Sequence, residues 1–482
     1  MKNLFKLYSL IFASLLIVSC GDEDLEPTLA MDKDTATGIL SADDLRSVLN
    51  SAYNRMTSTN YYMREFIAMG DARTDNMYSN VNSGRGTATS MDHSPDGYGP
   101  WGTIYGVIAI TNIVIGADHA SLEGNPAEID YIVGQAHAIR ALCHFDLLRN
   151  YGQHFVDGQG GANSLGVPYV KTYKDPANLT PSRDTVLSNV TDIMSDFQGG
   201  IALMSNGAVN QDSSYMSADA AYALMARAAL YFGAVDSSFY STAGAAAKWV
   251  IDNSSATPVS AAAFKASYYT DNASNSLFEL EATGTDNPSI NGLAYSFRGT
   301  SYGYYRILTG DDCAACGDDL YDIFAADAAT DVRFTVNGMI GTQQGEPTVI
   351  GKYPTMNGTD NITIIRVEEM HLIYAEALLR SGDSSGALTY LNNVPAIRGA
   401  SAYTEATIEN IMLERRKEFF GEGLRFYDLS RGGYDMPLVD SFKQSYDDLT
   451  GTPPAYGSYR YAFPISLSER NANPNIVQNY GY

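Results

Sequence analysis

Apolar residues recur at helical spacing along much of this 482-residue chain, and long polar stretches separate the segments in which they do so. Within residues 129–151, Ile132, Ala136, Ile139 and Cys143 fall at i, i+4, i+7 and i+11 on one helical face, and Gly152 is placed to stop the helix. Ser41 is a good N-cap before Ala42-Asp43-Asp44, and further helices fit 101–117 and 183–204. Residues 217–232 are dense in alanine, with Ala221, Leu224, Ala228 and Tyr231 on one face, and 241–251 follow with the same period. Segment 367–381 pairs with 384–392, and 405–421 closes the series.

These segments recur as pairs, around 129–204, 217–252 and 366–393. In the last two, a helix rich in small residues, a Gly-containing turn and a close-packing second helix span roughly thirty residues, the period of tetratricopeptide repeats. The expected fold is therefore mainly α: a tetratricopeptide-like helix-pair scaffold with an irregular, loop-rich lobe inserted over roughly 254–365 and few short strands. Stretches rich in Gly, Ser, Asn and Tyr lie between the pairs at 77–100, 152–182, 254–276, 282–319 and 433–460. Loops of that length inside a folded body carry function or form a lobe of their own.

The first forty residues have a different pattern. Lys2 and Lys6 precede an apolar run from Leu7 to Val18 that ends at Ser19-Cys20-Gly21. That run is shorter than the roughly twenty residues a membrane-spanning helix needs, so it reads as a secretory signal. Its ending resembles a bacterial lipobox, which makes residues 1–19 a signal peptide, Cys20 the lipid anchor (palmitate among its acyl chains) and 20–40 a tether. Residues 41–482 are the body. Asp22-Glu23-Asp24 resembles the surface-export signal of some Gram-negative lipoproteins, so the expected location is the outer membrane, facing out.

Charge narrows the partners. The formal net charge is −24, and removal of 1–19 takes two lysines with it. Nucleic acid is excluded, since binding it requires Lys and Arg to neutralise phosphates. Polyanionic glycans are disfavoured for the same reason.

Few residues suggest catalysis or metal binding. Cys143 lies within an apolar helical pattern and reads as a small buried hydrophobe. Cys313 and Cys316 have the spacing of a redox or metal pair, but zinc would need two further ligands. In an oxidising compartment a local disulfide is the favoured reading, with free thiols and metal or redox chemistry behind it. Gly299-Thr300-Ser301-Tyr302-Gly303 matches the hydrolase pattern G-x-S-x-G, yet the sequence after it is too broken for the helix that a nucleophile elbow requires. Asp311, Asp312, Asp318 and Asp319 lack the alternating spacing of a calcium loop and read as a solvated acidic turn. No metal and no cofactor are expected. The aromatic inventory carries more: 34 tyrosines, many of them in predicted loops, can each offer a ring face and a hydroxyl to one ligand, the combination that sugar rings ask for.

Three segments resemble the SusD/RagB family of outer-membrane lipoproteins. Glu414-Arg415-Arg416-Lys417-Glu418 running through Glu422-Gly423-Leu424-Arg425 to Asp428-Leu429 is similar to the family's E-R-R-x-E-x-x-x-E-G-x-R-x-x-D-L pattern. Arg366-Val367-Glu368-Glu369-Met370 leading to Tyr374-Ala375-Glu376-Ala377 resembles its late repeat helix. Tyr461-Ala462-Phe463-Pro464-Ile465, then Glu469, Asn473-Pro474-Asn475 and Gln478-Asn479, is close to its carboxyl terminus, and Trp101, Tyr105 and Asn112 sit as in its early helices. In these motifs Arg415, Arg416 and Glu418 read as ties between helices.

The resemblance implies a non-catalytic protein that captures oligosaccharide, or peptide as the alternative cargo, and delivers it to a SusC-like TonB-dependent transporter; apart from the resemblance, the residues leave a surface lipoprotein hydrolase using Ser301 or a carboxylate pair as the enzyme alternative. It further implies a ligand surface built from an early loop and a mid-chain loop. The residues here that suit such a surface are Tyr78, Tyr98, Tyr302, Tyr304 and Tyr305 for stacking, with Asp75, Asn80 and Arg306 for directed hydrogen bonds. Trp101 reads first as core and is carried as a further ligand candidate. With only two tryptophans in the chain, the sequence departs from the starch binders of the family and leaves the substrate open.

Overall fold

In the computed structural model, residues 38–80, 86, 96, 99–205, 211–310, 316–444 and 453–482 are described. Residues 41–482 form one unit and 1–40 another. The main helices are α1 (Ala42–Met56), α2 (Glu65–Ala72), α3 (Trp101–Ile115), α4 (Pro126–Tyr151), α5 (Val186–Ser205), α6 (Ala218–Phe232), α7 (Phe239–Asn253), α8 (Val367–Arg380), α9 (Ser384–Ala396), α10 (Ile408–Phe419) and α11 (Arg425–Gly432). Their starts follow local chemistry. The side chains of Ser41, Asn125, Ser217, Asp383 and Thr407 accept from backbone N–H groups of the first turns they precede. Pro126 opens α4, and Gly152 caps its end.

The expected helix pairs are present: α4 packs on α5, α6 on α7 and α8 on α9, and α7 also packs on α8, so consecutive pairs stack. Small residues set the spacing. A Cβ at Gly134 would lie 2.8 Å from the Gly200 carbonyl oxygen, and one at Gly200 would lie 2.6 Å from the Gly134 carbonyl oxygen, so the backbones of α4 and α5 cross where neither carries a side chain. The face of α6 is sealed by Ala220, Ala221, Ala223, Ala226, Ala228 and Ala229, all buried.

The described strands form three two-stranded antiparallel sheets: β1 (Met77–Ser79) with β3 (Tyr305–Ile307), β2 (Ser276–Leu280) with β6 (Ile362–Arg366), and β4 (Ile340–Gln343) with β5 (Glu346–Val349). Gln344 and Gly345 both have positive φ, 55° and 85°, as a two-residue hairpin turn between β4 and β5 requires. The β2–β6 sheet packs on α6, which ties the irregular lobe to the scaffold.

A buried ion network makes the same tie with charge. Glu418 on α10 accepts from Arg366 Nη1 at 2.6 Å, Arg398 Nη2 at 2.8 Å and Arg333 Nη1 at 3.1 Å. Arg333 also donates to Asp331 and Glu414, and Lys352 donates to the Glu418 carbonyl oxygen and to Glu422. A second web joins Arg415 to Asp428 and Glu369, and Arg431 to Asp428 and Glu376. Burial alone would raise the Glu418 pKa, but Arg398, Arg366 and Arg333 outweigh it and hold the carboxyl well below its ordinary range. The E-R-R-x-E pattern is thus a set of charges buried together. Among the described residues no helix is long and apolar enough to cross a membrane.

Candidate functional site

The early and mid-chain segments meet in the β1–β3 sheet, where Met77 faces Ile307, Tyr78 faces Arg306 and Ser79 faces Tyr305. The ladder continues to Asn80, whose backbone N–H donates to the Tyr304 carbonyl oxygen at 2.9 Å. Beyond Asn80 most of the early loop, Tyr98 included, lies outside the described residues.

The sheet is covered on both faces, and that corrects most of the expected contacts. β5 and the short helix Leu293–Arg298 pack on β3, while Tyr78, Leu308 and Val439 form a small apolar cluster beside it. Tyr304 and Tyr305 are fully buried, with ring centroids 4.4 Å apart. Arg306 is also fully buried: it donates to the carbonyl oxygens of Phe297, Tyr305 and Gly303 and to Gln344 Oε1. Its burial lowers the pKa, with Glu346 opposing. Tyr78 is buried and donates its hydroxyl to Glu346, and burial followed by that carboxylate raises its pKa.

Asp75 and Trp101 are likewise structural. Asp75 is buried and receives Arg425 through two bonds of 2.8 and 2.7 Å, with Arg416 at 3.2 Å. Burial would raise its pKa, but the two arginines reverse the shift. Trp101 opens α3 with its ring 4.9 Å from those of Tyr105 and Tyr151, in the core. None of these side chains presents itself to a ligand.

Tyr302 does. It is 38 % exposed at the turn before β3, with the Tyr295 ring 6.3 Å away. Gln344, exposed at the β4–β5 turn, donates to the Thr300 carbonyl oxygen at 2.7 Å and so lies against the same turn. Exposed Thr300 and Ser301 and half-buried Asn80 and Glu346 also face solvent in the expected region.

Sequence reasoning missed Phe442. The segment around it lies along the β1–β3 sheet, since Lys443 Nζ donates to Thr309 Oγ1 at 3.2 Å and sits 5.7 Å from the Tyr78 ring centroid. Phe442 itself is 88 % exposed. The signal was an aromatic residue in a long polar loop, Asp440-Ser441-Phe442-Lys443.

The remaining candidates resolve as follows. Ser301 lies between a helix that ends at Arg298 and a strand that begins at Tyr305, the reverse of the strand, turn and helix order of a nucleophile elbow. Cys143 is free and buried, and Cys316 is disulfide-bonded, while Cys313 lies outside the described residues. So do Cys20, Asp311 and Asp312. Asp319 caps the helix Leu320–Phe324 by accepting from the backbone of Tyr321 and Asp322. Among the described residues no group of three or more His, Cys, Asp or Glu side chains could hold a metal.

The family model described as "SusD family" matches residues 333–482, and the one described as "Starch-binding associating with outer membrane" matches residues 24–230. Starch-binding protein SusD of Bacteroides thetaiotaomicron is 33% identical over 193 residues, 37% of this chain and 33% of that protein. A SusD-like protein of Bacteroides ovatus is 27% identical over 152 residues, 30% of this chain and 27% of that protein. The matched stretches therefore span about a third or less of these relatives' own length. A SusD superfamily protein of Bacteroides thetaiotaomicron, known from a crystal structure, superposes with a TM-score of 0.78 at 26% identity, over 91% of this chain and 100% of its own. Scaffold, buried Arg and Glu pattern and matched sequence agree: the chain belongs to the SusD/RagB family.

Proposed function

We propose that this protein captures neutral oligosaccharide at the outer membrane without cleaving it. The observation that carries the reading is the β1–β3 pairing, which joins the early and mid-chain segments and leaves the Tyr302 ring exposed beside Gln344. A half-exposed tyrosine beside an amide offers the stacking face and the hydrogen-bonding groups that a sugar ring uses. The relative named as a starch-binding protein and the family description "Starch-binding associating with outer membrane" support the ligand class and the location. In this reading Cys20 carries the lipid, residues 20–40 are the tether, and the bound glycan passes to a SusC-like TonB-dependent transporter.

Peptide capture is less favoured, because Arg306, a cation that could pair with a peptide carboxylate, is buried and donates to the carbonyl oxygens of Phe297, Tyr305 and Gly303 and to Gln344 inside the protein. The test is to incubate purified protein with labelled pools of neutral oligosaccharides and of peptides, then analyse the retained and the free material by mass. Retention of unshortened glycan is expected. Retention of peptide alone, or shortened glycan, overturns the proposal.

A further inference from the structure

Away from the Tyr302 surface, the lobe contains a cavity of about 190 Å³ between the loop that follows helix Ala261–Ser267 and the segment leading into β6. Resting on the reading of this protein as a glycan binder, we propose that the cavity holds a single uncharged sugar residue, as a second contact point for glycan.

Size is the first argument. Drug-sized ligands occupy pockets of roughly 300–1,000 Å³, so this one suits a ligand of about one ring. Chemistry is the second. Tyr269 stands at the rim, 57 % exposed, and offers a free aromatic face, while Asp271, Asn361 and Thr363 add polar groups around it.

Electrostatics is the third. The charges in the floor already have protein partners: Lys352 Nζ donates to the Glu418 carbonyl oxygen at 2.8 Å and to Glu422 Oε1 at 2.6 Å, and the Glu279 carboxylate accepts from Asn272 N and Asn361 Nδ2. Asp360 accepts from the Thr355 backbone and hydroxyl. Among the described residues that line the cavity, Lys352 is the basic one and is already paired with Glu422, while the carboxylates of Asp271, Glu279, Asp360 and Glu422 repel an anionic ligand. The carboxylate and amide oxygens of Asp271 and Asn361 and the Thr363 hydroxyl, beside the Tyr269 ring, suit the hydroxyls and ring face of a polyhydroxylated neutral ring.

The cavity is separate from the Tyr302 surface. The helix Leu293–Arg298 stands between them: its Tyr295 lies near Tyr302, whereas its Arg298 Nη2 donates to the carbonyl oxygens of Tyr353 and Pro354 on the cavity side. Two rings of the lobe, Tyr302 and Tyr269, can therefore be tested independently.

Saturation-transfer NMR with the methyl glycosides of glucose, galactose, mannose and glucuronic acid makes the test, on the wild-type protein, Tyr269→Ala and Tyr302→Ala. Transfer to at least one neutral methyl glycoside is expected, several-fold weaker in Tyr269→Ala, retained through the cavity in Tyr302→Ala, and several-fold weaker for the glucuronide than for the neutral glycosides in the wild type. The proposal is overturned if no neutral glycoside receives saturation, if Tyr269→Ala leaves the transfer unchanged, or if the glucuronide is preferred. Loss in Tyr302→Ala alone overturns the second site while supporting the first, so failure of the two readings is distinguishable.

Discussion

Glu418→Gln tests whether the E-R-R-x-E pattern acts through buried charge. Glu418 is completely buried and receives Arg333, Arg366 and Arg398, which come from the lobe, from the end of β6 and from the segment after α9. Glutamine keeps the volume but removes the negative charge that balances three guanidinium groups and turns an amide N–H₂ towards them. Removing one partner of a buried ion pair costs about 3–5 kcal/mol, because the other is left uncompensated. The loss belongs in that range, since Arg366 and Arg333 retain Glu422 and Asp331. Urea unfolding at pH 7 should show a lower midpoint with an unchanged slope.

The pH dependence has a definite sign. The folded Glu418 pKa lies below its ordinary value of 4.5, so its contribution is fully present above that pH and is lost as pH falls towards the folded pKa. The gap between wild type and variant should therefore shrink below about pH 4.5. A variant within about 0.5 kcal/mol of wild type at pH 7, the range of an ordinary surface substitution, refutes the reasoning.

Three further outcomes are expected. Tyr304→Ala should destabilise the fold by about 3–5 kcal/mol, the cost of truncating a buried aromatic ring, whereas Tyr302→Ala should leave the unfolding midpoint unchanged; equal, small effects on unfolding would place Tyr304 at the surface. Gly200→Val puts side-chain atoms against the Gly134 carbonyl, so it should cost at least the ~1–3 kcal/mol of core overpacking, and thermal unfolding that matches wild type would deny the close crossing of α4 and α5. Thiol titration of unfolded, unreduced protein carrying Cys20→Ser should find one reactive group, Cys143, and a count of three would deny the Cys316 disulfide.

The helix pairs were legible because periodicity is local: each needs only its own residues and a cap such as Ser217 or Asp383. The Arg and Glu pattern was legible through its spacing, and Arg415, Arg416 and Glu418 do tie elements together. The strands were not. β1 and β3 have three residues each, too few to display alternation. Reading Tyr304, Tyr305 and Arg306 as a ligand cluster failed for a related reason: what packs against them includes Thr348 on β5, 43 positions after Tyr305, and Gln344, 38 positions after Arg306. Asp75, expected to bond ligand, is taken up instead by Arg425, 350 positions later. Tyr302 differs from its neighbours only by standing in the turn rather than in the strand.

The central claim is that the Tyr302 surface holds glycan and leaves it intact. Its most direct test is isothermal titration of wild type and Tyr302→Ala against a panel of neutral oligosaccharides, with the ligand recovered afterwards and its length checked. A stacking ring is worth on the order of 1 kcal/mol, so Tyr302→Ala should weaken binding of at least one panel member about fivefold, with every ligand recovered at full length. Equal affinity in the two proteins, no binding by the wild type, or shortened ligand would contradict the account.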